Sequence, residues 1–373
     1  MDFSLSDEQK IMLASAKSFL GKEAKDLYRK MEENKTQEGY SPDIWRKMAD
    51  LGWLGIVFPE EVWGTGGGFV DLVLLIEETG RALLPGPYIP TMISGLAILK
   101  YGSEEQKTEM LAKIVEGNCI LSYALTEPDP CVPGNRTEEK VTVDSDGSYI
   151  ISGTRLFAPF AHVAHWLLYE TDTGEGKTLF LVNTKSLGVT FTPFESIAVD
   201  KLCEVNLKEV KVPKDCILGK MGNGNEITSD VKKWGALSES AYITGMLEWI
   251  LETTVAYAKE RVQFGSPIGS FQAIQHQCAN MATDIDRTKF LTYRAACELD
   301  DGQSAESEVS MAKAWASDSA RRVSLLGCKI HGGVGISKEH DMTLYFCKAK
   351  ACELSFGGGD FHREIVAERL GLS

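Results

Sequence analysis

Four long stretches, residues 236–260, 270–298, 304–327 and 338–354, carry apolar residues at helical spacing and are parted by short breaks. That is the signature of an antiparallel helix bundle, and it commits the last third of the chain. The texture before it differs. Residues 139–145, 147–152, 164–170, 177–183, 188–194 and 204–212 are short runs of strand character, with turn signals at Asp146-Gly147 and Thr173-Gly174. An apolar, strand-like run over 119–126 precedes them, and Gly219 to Gly224 forms a loop leading out. Ahead of Cys119 the pattern is helical again. Ser6 and Gln9 make a capping box, Ile11, Leu13, Phe19 and Leu20 a helical stripe, and further helices are expected near 42–52, 70–82, 89–101 and 104–116. The expectation is an α+β chain in three domains: an N-terminal α-helical domain over 1–118, a β-barrel-like middle domain over 119–225 and a C-terminal α-helical bundle over 226–373.

The residues are 43% hydrophobic and 25% charged, as in a soluble globular protein. No run of eighteen apolar residues occurs, so no membrane span is expected. The start MDFSLSDEQK has neither a basic n-region nor an apolar h-region, so no signal peptide is expected. Nine cysteines without CxxC spacing fit reduced thiols and a cytoplasmic location. With 53 acidic against 39 basic residues the net charge is −14, which argues against nucleic acid. Any anionic ligand must therefore be held by local cations and backbone donors. His340-Asp341 and His362-Arg363 belong to no HExxH or Cys/His cluster, and no GxSxG occurs. Those histidines are expected at the surface near helix ends, with no metal site.

The chemistry concentrates in residues 257–277, YAKERVQFGSPIGSFQAIQHQ. A helix ends near Arg261 and Phe264, breaks at Gly265-Ser266-Pro267, and a new one opens at Gln272. A cation, an aromatic face and an amide are gathered at one corner, which suits a phosphate beside a flat heterocycle. An ordinary helical hairpin with a surface arginine gives the same pattern. Further blocks are Phe3-Ser4-Leu5-Ser6-Asp7-Glu8-Gln9, PEEVWGTGG over 59–67, EETGR over 77–81, Tyr123-Ala124-Leu125-Thr126-Glu127-Pro128 and His331-Gly332-Gly333-Val334-Gly335. In this order, and in a chain of this length, they resemble the acyl-CoA dehydrogenase family.

The resemblance implies a helix–β–helix fold, FAD as cofactor and an acyl-CoA thioester as substrate. It implies that Tyr123, Leu125, Thr126 and the aromatic Phe157 line the flavin ring. Arg261, Phe264, Gln272, Gly332, Gly333 and Lys329, the last in place of a glutamine, would meet the adenine and phosphate end of a flavin bound mainly by a neighbouring subunit. Asp360, in the glycine-rich loop after Phe356, falls within the same cofactor region. The chain departs from the family at several points. Pro130 and Pro133 replace a Gly-Ser turn near the phosphates, where proline removes donors. Pro159 stands where a hydroxyl usually contacts the flavin, and proline cannot donate to it. The family's base is a glutamate that removes the α-proton. Its usual position is Phe356 here, and its alternative position falls near Gly235-Ala236, so both are empty. Asp360 and Glu239 are the remaining acids within reach. Asp360 also reads as a helix cap before Phe361, and Glu239 as a solvated charge.

The residues lent to a neighbour's flavin are thus intact, while those for the chain's own flavin and substrate are eroded. This fits a subunit of a heteromeric acyl-CoA dehydrogenase, with a second dehydrogenase-like chain supplying the base. By resemblance such enzymes act on bulky steroid, alicyclic or aromatic acyl-CoAs, and the electron acceptor is an electron-transferring flavoprotein. A homotetramer with a displaced base at Asp360 or Glu239 is the second possibility. A non-redox FAD- or CoA-binding relative is the third.

Overall fold

The computed structural model describes residues 5–24, 26–34, 36–128 and 139–372. Its helices are α1 (Asp7–Glu23), α2 (Leu27–Asn34), α3 (Pro42–Asp50), α4 (Phe69–Arg81), α5 (Tyr88–Tyr101), α6 (Glu104–Val115), α7 (Gly224–Glu260), α8 (Gln272–Asp300), α9 (Glu306–His331), α10 (Asp341–Leu354) and α11 (Gly359–Arg369). Its strands are β1 (Leu121–Ala124), β2 (Lys140–Val143), β3 (Tyr149–Pro159), β4 (Trp166–Asp172), β5 (Lys177–Asn183), β6 (Val189–Pro193), β7 (Leu202–Val212), β8 (Ile217–Leu218), β9 (Val262–Gln263) and β10 (Ser266–Pro267). The helix–β–helix order is the one expected. The backbone packs as two compact units, one of Met1–Asn34, Gly68–Leu84 and Gly235–Ser373, the other of Lys35–Gly67 and Pro85–Trp234. No helix among the described residues is long and apolar enough to cross a membrane.

The first unit is helical. Gly80 lets α4 meet α7 closely, since a Cβ there would stand 2.1 Å from the Tyr242 carbonyl oxygen. The EETGR block supplies that crossing with charges. Glu77, 4% exposed, accepts from Lys289 and Tyr293, each at 2.8 Å. Lys289 also donates to Glu248 at 2.8 Å, and Arg81 to Glu248 at 3.1 Å. Burial lifts the Glu77 carboxyl above the usual range, and Lys289 opposes the lift. Asp300, the last residue of α8, accepts from the Phe69 and Val70 amides at 2.5 and 3.0 Å, an anion on the first turn of α4.

Among the described residues the second unit holds two four-stranded sheets. One has the order β1-β4-β5-β8, with β1 parallel to β4; the other, β2-β3-β7-β6, is antiparallel throughout. Five consecutive residues are buried in both β4 and β5, so these strands are covered on both faces, whereas β7 alternates through its first half. Thr91 docks α5 on β1 by a hydroxyl bond of 3.1 Å to the Leu121 carbonyl.

α11 adds a helix beyond the four expected C-terminal stretches, and α7 and α2 also differ from expectation. α7 starts at Gly224 instead of 236. Ile227, Val231 and Trp234 do form a buried stripe, but Asp230 and Lys233 interrupt it in sequence. Asp230 is in fact held by Lys100, Tyr101 and Lys233, so its charge is compatible with burial. α2 is also unannounced, because its eight residues are too few to show a period.

Candidate functional site

The corner at 257–272 lies in the helical unit. α7 ends at Glu260, and a β9–β10 hairpin follows, pairing Gln263 with Ser266. Its two-residue turn places Phe264 at φ 56° and Gly265 at φ 83°, the left-handed pair that tight hairpins need. This throws the Phe264 ring outward, 93% exposed, and among the described residues it makes an edge contact to Phe271 at 6.2 Å. Gln272 is the first residue of α8. Arg261 and Gln272 are exposed, and neither side chain makes a hydrogen bond or ion pair among the described residues.

The glycine motif joins this corner through a ring stack. His331 is buried at the end of α9 and stacks on Tyr257 of α7 at 4.4 Å and 23°. Its Nδ1 donates to the Gly327 carbonyl at 2.9 Å. Gly332 then turns at φ 64° and ψ −140°, a conformation reserved for glycine. A Cβ on Gly332 or on Gly333 would meet nothing within 4 Å, so both backbones face open space. Lys329 is exposed beside them.

The two base positions meet. A Cβ built on Gly235 would lie 2.2 Å from ring atoms Cε1 and Cζ of Phe356, so the phenyl ring rests on the bare Cα of Gly235. Phe356 itself sits at φ 57°, a strained angle for an aromatic residue. Two buried groups hold its turn. Lys313 of α9, 0% exposed, donates to Ser317 Oγ at 2.8 Å and to the carbonyls of Cys352, Glu353 and Gly357, each at 3.1 Å. These include the orphan carbonyls at the end of α10. Burial brings the Lys313 amine down to about 8, against the charge of Glu239. His362, 4% exposed, has Nε2 3.0 Å from the Phe356 carbonyl, so Nε2 carries the proton, and Nδ1 lies 3.3 Å from Ser310 Oγ. Burial brings its imidazole down to about 4.

The expectation of surface histidines is corrected here. His362 is buried because it closes the turn under Phe356, and His340 is half-buried because its Nδ1 caps α10 at the Met342 amide, 3.0 Å away. Neither belongs to a group that could hold a metal ion among the described residues. Of the remaining acids, Glu239 is half-buried, one helical turn beyond Gly235. The Asp360 side chain is fully exposed in the first turn of α11 and takes Arg363 Nη1 at 2.7 Å. Lys313 escaped sequence reasoning, although it falls on the stripe Val309, Lys313, Ala316, Ala320 whose other members are buried.

The expected flavin-ring residues lie in the sheet unit. Leu125 is buried, Tyr123 half-buried and Thr126 exposed, and the Thr126 carbonyl accepts the Leu156 amide at 2.8 Å. β3 is irregular between Arg155 and Ala158, where Phe157 takes φ 57° and turns a half-exposed ring against Phe194 at 5.2 Å. Pro159 ends β3, buried, and its carbonyl is taken by the Ser122 hydroxyl. Pro130 and Pro133 lie outside the described residues.

The donor set can be tested against FAD. An unengaged guanidinium, an amide, an exposed ring and two open glycines suit the adenine and diphosphate end of such a dinucleotide. In the sheet unit, taken by itself, the residues expected at a flavin ring offer the Thr126 hydroxyl and the exposed Phe157 ring, while Pro159 offers no donor.

Residues 6–118 match the acyl-CoA dehydrogenase N-terminal domain, and residues 222–371 the acyl-CoA dehydrogenase C-terminal domain. The chain is 32% identical to the Bacillus subtilis (strain 168) protein named "Probable acyl-CoA dehydrogenase YngJ", across 99% of this chain and 100% of that one. Butyryl-CoA dehydrogenase from Megasphaera elsdenii superposes with a TM-score of 0.92 at 27% identity, covering 99% of this chain and 100% of its own. A chain of the ChsE4-ChsE5 complex from Mycobacterium tuberculosis superposes with a TM-score of 0.91 at 26% identity, with both chains covered completely. The protein belongs to the acyl-CoA dehydrogenase family, whose members are FAD-dependent oxidoreductases.

Proposed function

We propose that this chain is one subunit of a heteromeric acyl-CoA dehydrogenase. It closes the adenine end of FAD at a subunit interface, while a second dehydrogenase-like chain supplies the base. One observation carries the reading: both positions open to a catalytic carboxylate are filled by a phenyl ring lying on a glycine. Desaturation needs a carboxylate at the α-proton, and a phenyl group accepts no proton. Bound FAD would supply the acceptor for the β-hydride. Arg261 would bind phosphate, Gln272 would hydrogen-bond its neighbourhood, and Gly332 and Gly333 would let the nucleotide approach the backbone. The ChsE4-ChsE5 relative, named for two chains, supports assembly of this fold in unlike pairs. A bulky acyl-CoA as substrate and an electron-transferring flavoprotein as acceptor complete the reading.

The test is the flavin spectrum and native mass of the chain, purified alone and with the product of its neighbouring gene. Little FAD alone and FAD in the mixed complex supports the reading. A homotetramer near one FAD per chain refutes it. A second reading, with Glu239 as displaced base, is favoured by that carboxylate's partial burial and by its influence on Lys313. It requires that Glu239→Gln abolish bleaching of a flavin held by this chain alone.

A further inference from the structure

The sheet unit has a cavity that the proposed chemistry does not use. It opens between the start of β4, the end of β5 and the end of β7, with a volume of about 420 Å³. Pockets of this size take small organic ligands. Strand register builds one wall. Trp166 of β4 stands opposite Asn183 of β5, and Leu181, two positions earlier, shares the face of Asn183. Val212, the last residue of β7, adds an apolar side chain from the other sheet. Leu181 and Val212 are each 2% exposed, so the floor is aliphatic, and the half-buried Trp166 ring gives the cavity a flat side. The polar lining is one-sided. Trp166 Nε1, Asn183 Nδ2, Ser186 Oγ and Lys185 Nζ make no hydrogen bond among the described residues, and no carboxylate lines the cavity. Asn183 already uses its oxygen to accept the Lys185 amide at 2.9 Å, which leaves its nitrogen free to donate. Lys211, the other cation at the rim, pairs with Asp144 and Asp146, each 2.7 Å away. Lys185 is therefore the charge left for a ligand.

We propose that this cavity is a second ligand site, which binds a flat aromatic carboxylate. The ring system lies against Trp166 and the Leu181–Val212 floor, and the carboxylate is held by Lys185, Asn183 and Ser186. Donors without an acceptor call for an anion, and an indole face beside aliphatic walls favours a planar ring over a flexible chain. In a chain of net charge −14 the local cation and amide do what the overall field cannot. The site is built within one unit and uses no residue assigned to FAD, so it stands independently of the flavin reading. It binds and does not react: its one thiol, Cys216, is pushed up to about 11 by burial and by Asp215, and so is not a thiolate nucleophile at neutral pH.

The experiment is calorimetric titration of the protein as isolated, with any partner chain that co-purifies, using 2-naphthoate, its neutral counterpart 2-naphthalenemethanol, and octanoate. 2-Naphthoate is expected to saturate one site per chain and to bind about 10-fold tighter than either of the others, the worth of one charge-assisted contact or of the ring stack. Lys185 is exposed, so its variants leave the fold intact. Lys185→Gln should abolish the preference for the acid over the alcohol, and Lys185→Arg should keep it. Trp166→Leu should abolish the preference for naphthoate over octanoate. Cys216 reports the location. With 2-naphthoate at about ten times its Kd, alkylation of Cys216 by iodoacetamide, read by mass spectrometry, should slow about 10-fold, while Cys278 of the helical unit reacts as before. Saturable binding that leaves Cys216 unprotected and survives Lys185→Gln lies elsewhere and overturns the site, as does the absence of saturable binding. Octanoate binding as tightly as 2-naphthoate overturns the aromatic assignment.

Discussion

Gly235→Ala is the sharpest probe of the packed arrangement, because two effects oppose each other with known signs. In an ordinary helix interior the substitution stabilises by about 1 kcal/mol. Here the new methyl would lie 2.2 Å from two ring carbons of Phe356, far inside van der Waals contact. The ring cannot simply swing away, since its backbone is gripped by His362 and its turn by Lys313. With the clash this close, overpacking should cost roughly 2–3 kcal/mol, the upper part of its usual range, so the net expectation is a destabilisation of about 1–2 kcal/mol. In a Phe356→Gly background the obstacle is gone, and the same change should stabilise by about 1 kcal/mol. The two backgrounds therefore differ by roughly 2–3 kcal/mol, at the upper end of coupling between touching residues. Urea midpoints of the four proteins, at matched m-values, measure the cycle. The reasoning is refuted if Gly235→Ala has the same sign in both backgrounds.

Lys289→Met strands the buried carboxyl of Glu77 and should cost about 3–5 kcal/mol, seen as a large drop in urea midpoint; Glu77→Gln added to it should recover part of the loss. His362 is neutral in the fold down to about pH 4 but titrates near 6.5 when unfolded, so the unfolded chain binds the extra proton between those values. Stability is whole above about pH 6.5 and falls by roughly 3 kcal/mol as the pH drops toward 4, a slope that His362→Asn should remove. Arg261→Ala should leave the fold intact and weaken FAD retention by the assembled enzyme about 10- to 100-fold, the worth of one charge-assisted contact, measured by equilibrium dialysis.

The order of elements was legible because long amphipathic helices and short alternating strands differ in period. The corner at Arg261 and the motif at Gly332 were legible as residues, since their chemistry is local to each segment. Their mutual placement was not, because it depends on the Tyr257–His331 stack between the ends of two helices. The Gly235–Phe356 contact joins residues more than a hundred positions apart, and nothing in the spacing of either announces the other. The buried roles of Lys313 and His362 were hidden for a different reason. Charged and titratable residues default to the surface, and only the backbone carbonyls exposed by a helix end and a tight turn make their burial affordable.

The most direct test of the central claim is the count of FAD per polypeptide in the purified mixed complex, set against its native mass. If this chain lends its corner to a partner's flavin and holds none of its own, the complex carries about one FAD for every two chains, and the chain alone carries almost none. One FAD per chain, with this protein assembled only with itself, would contradict the account.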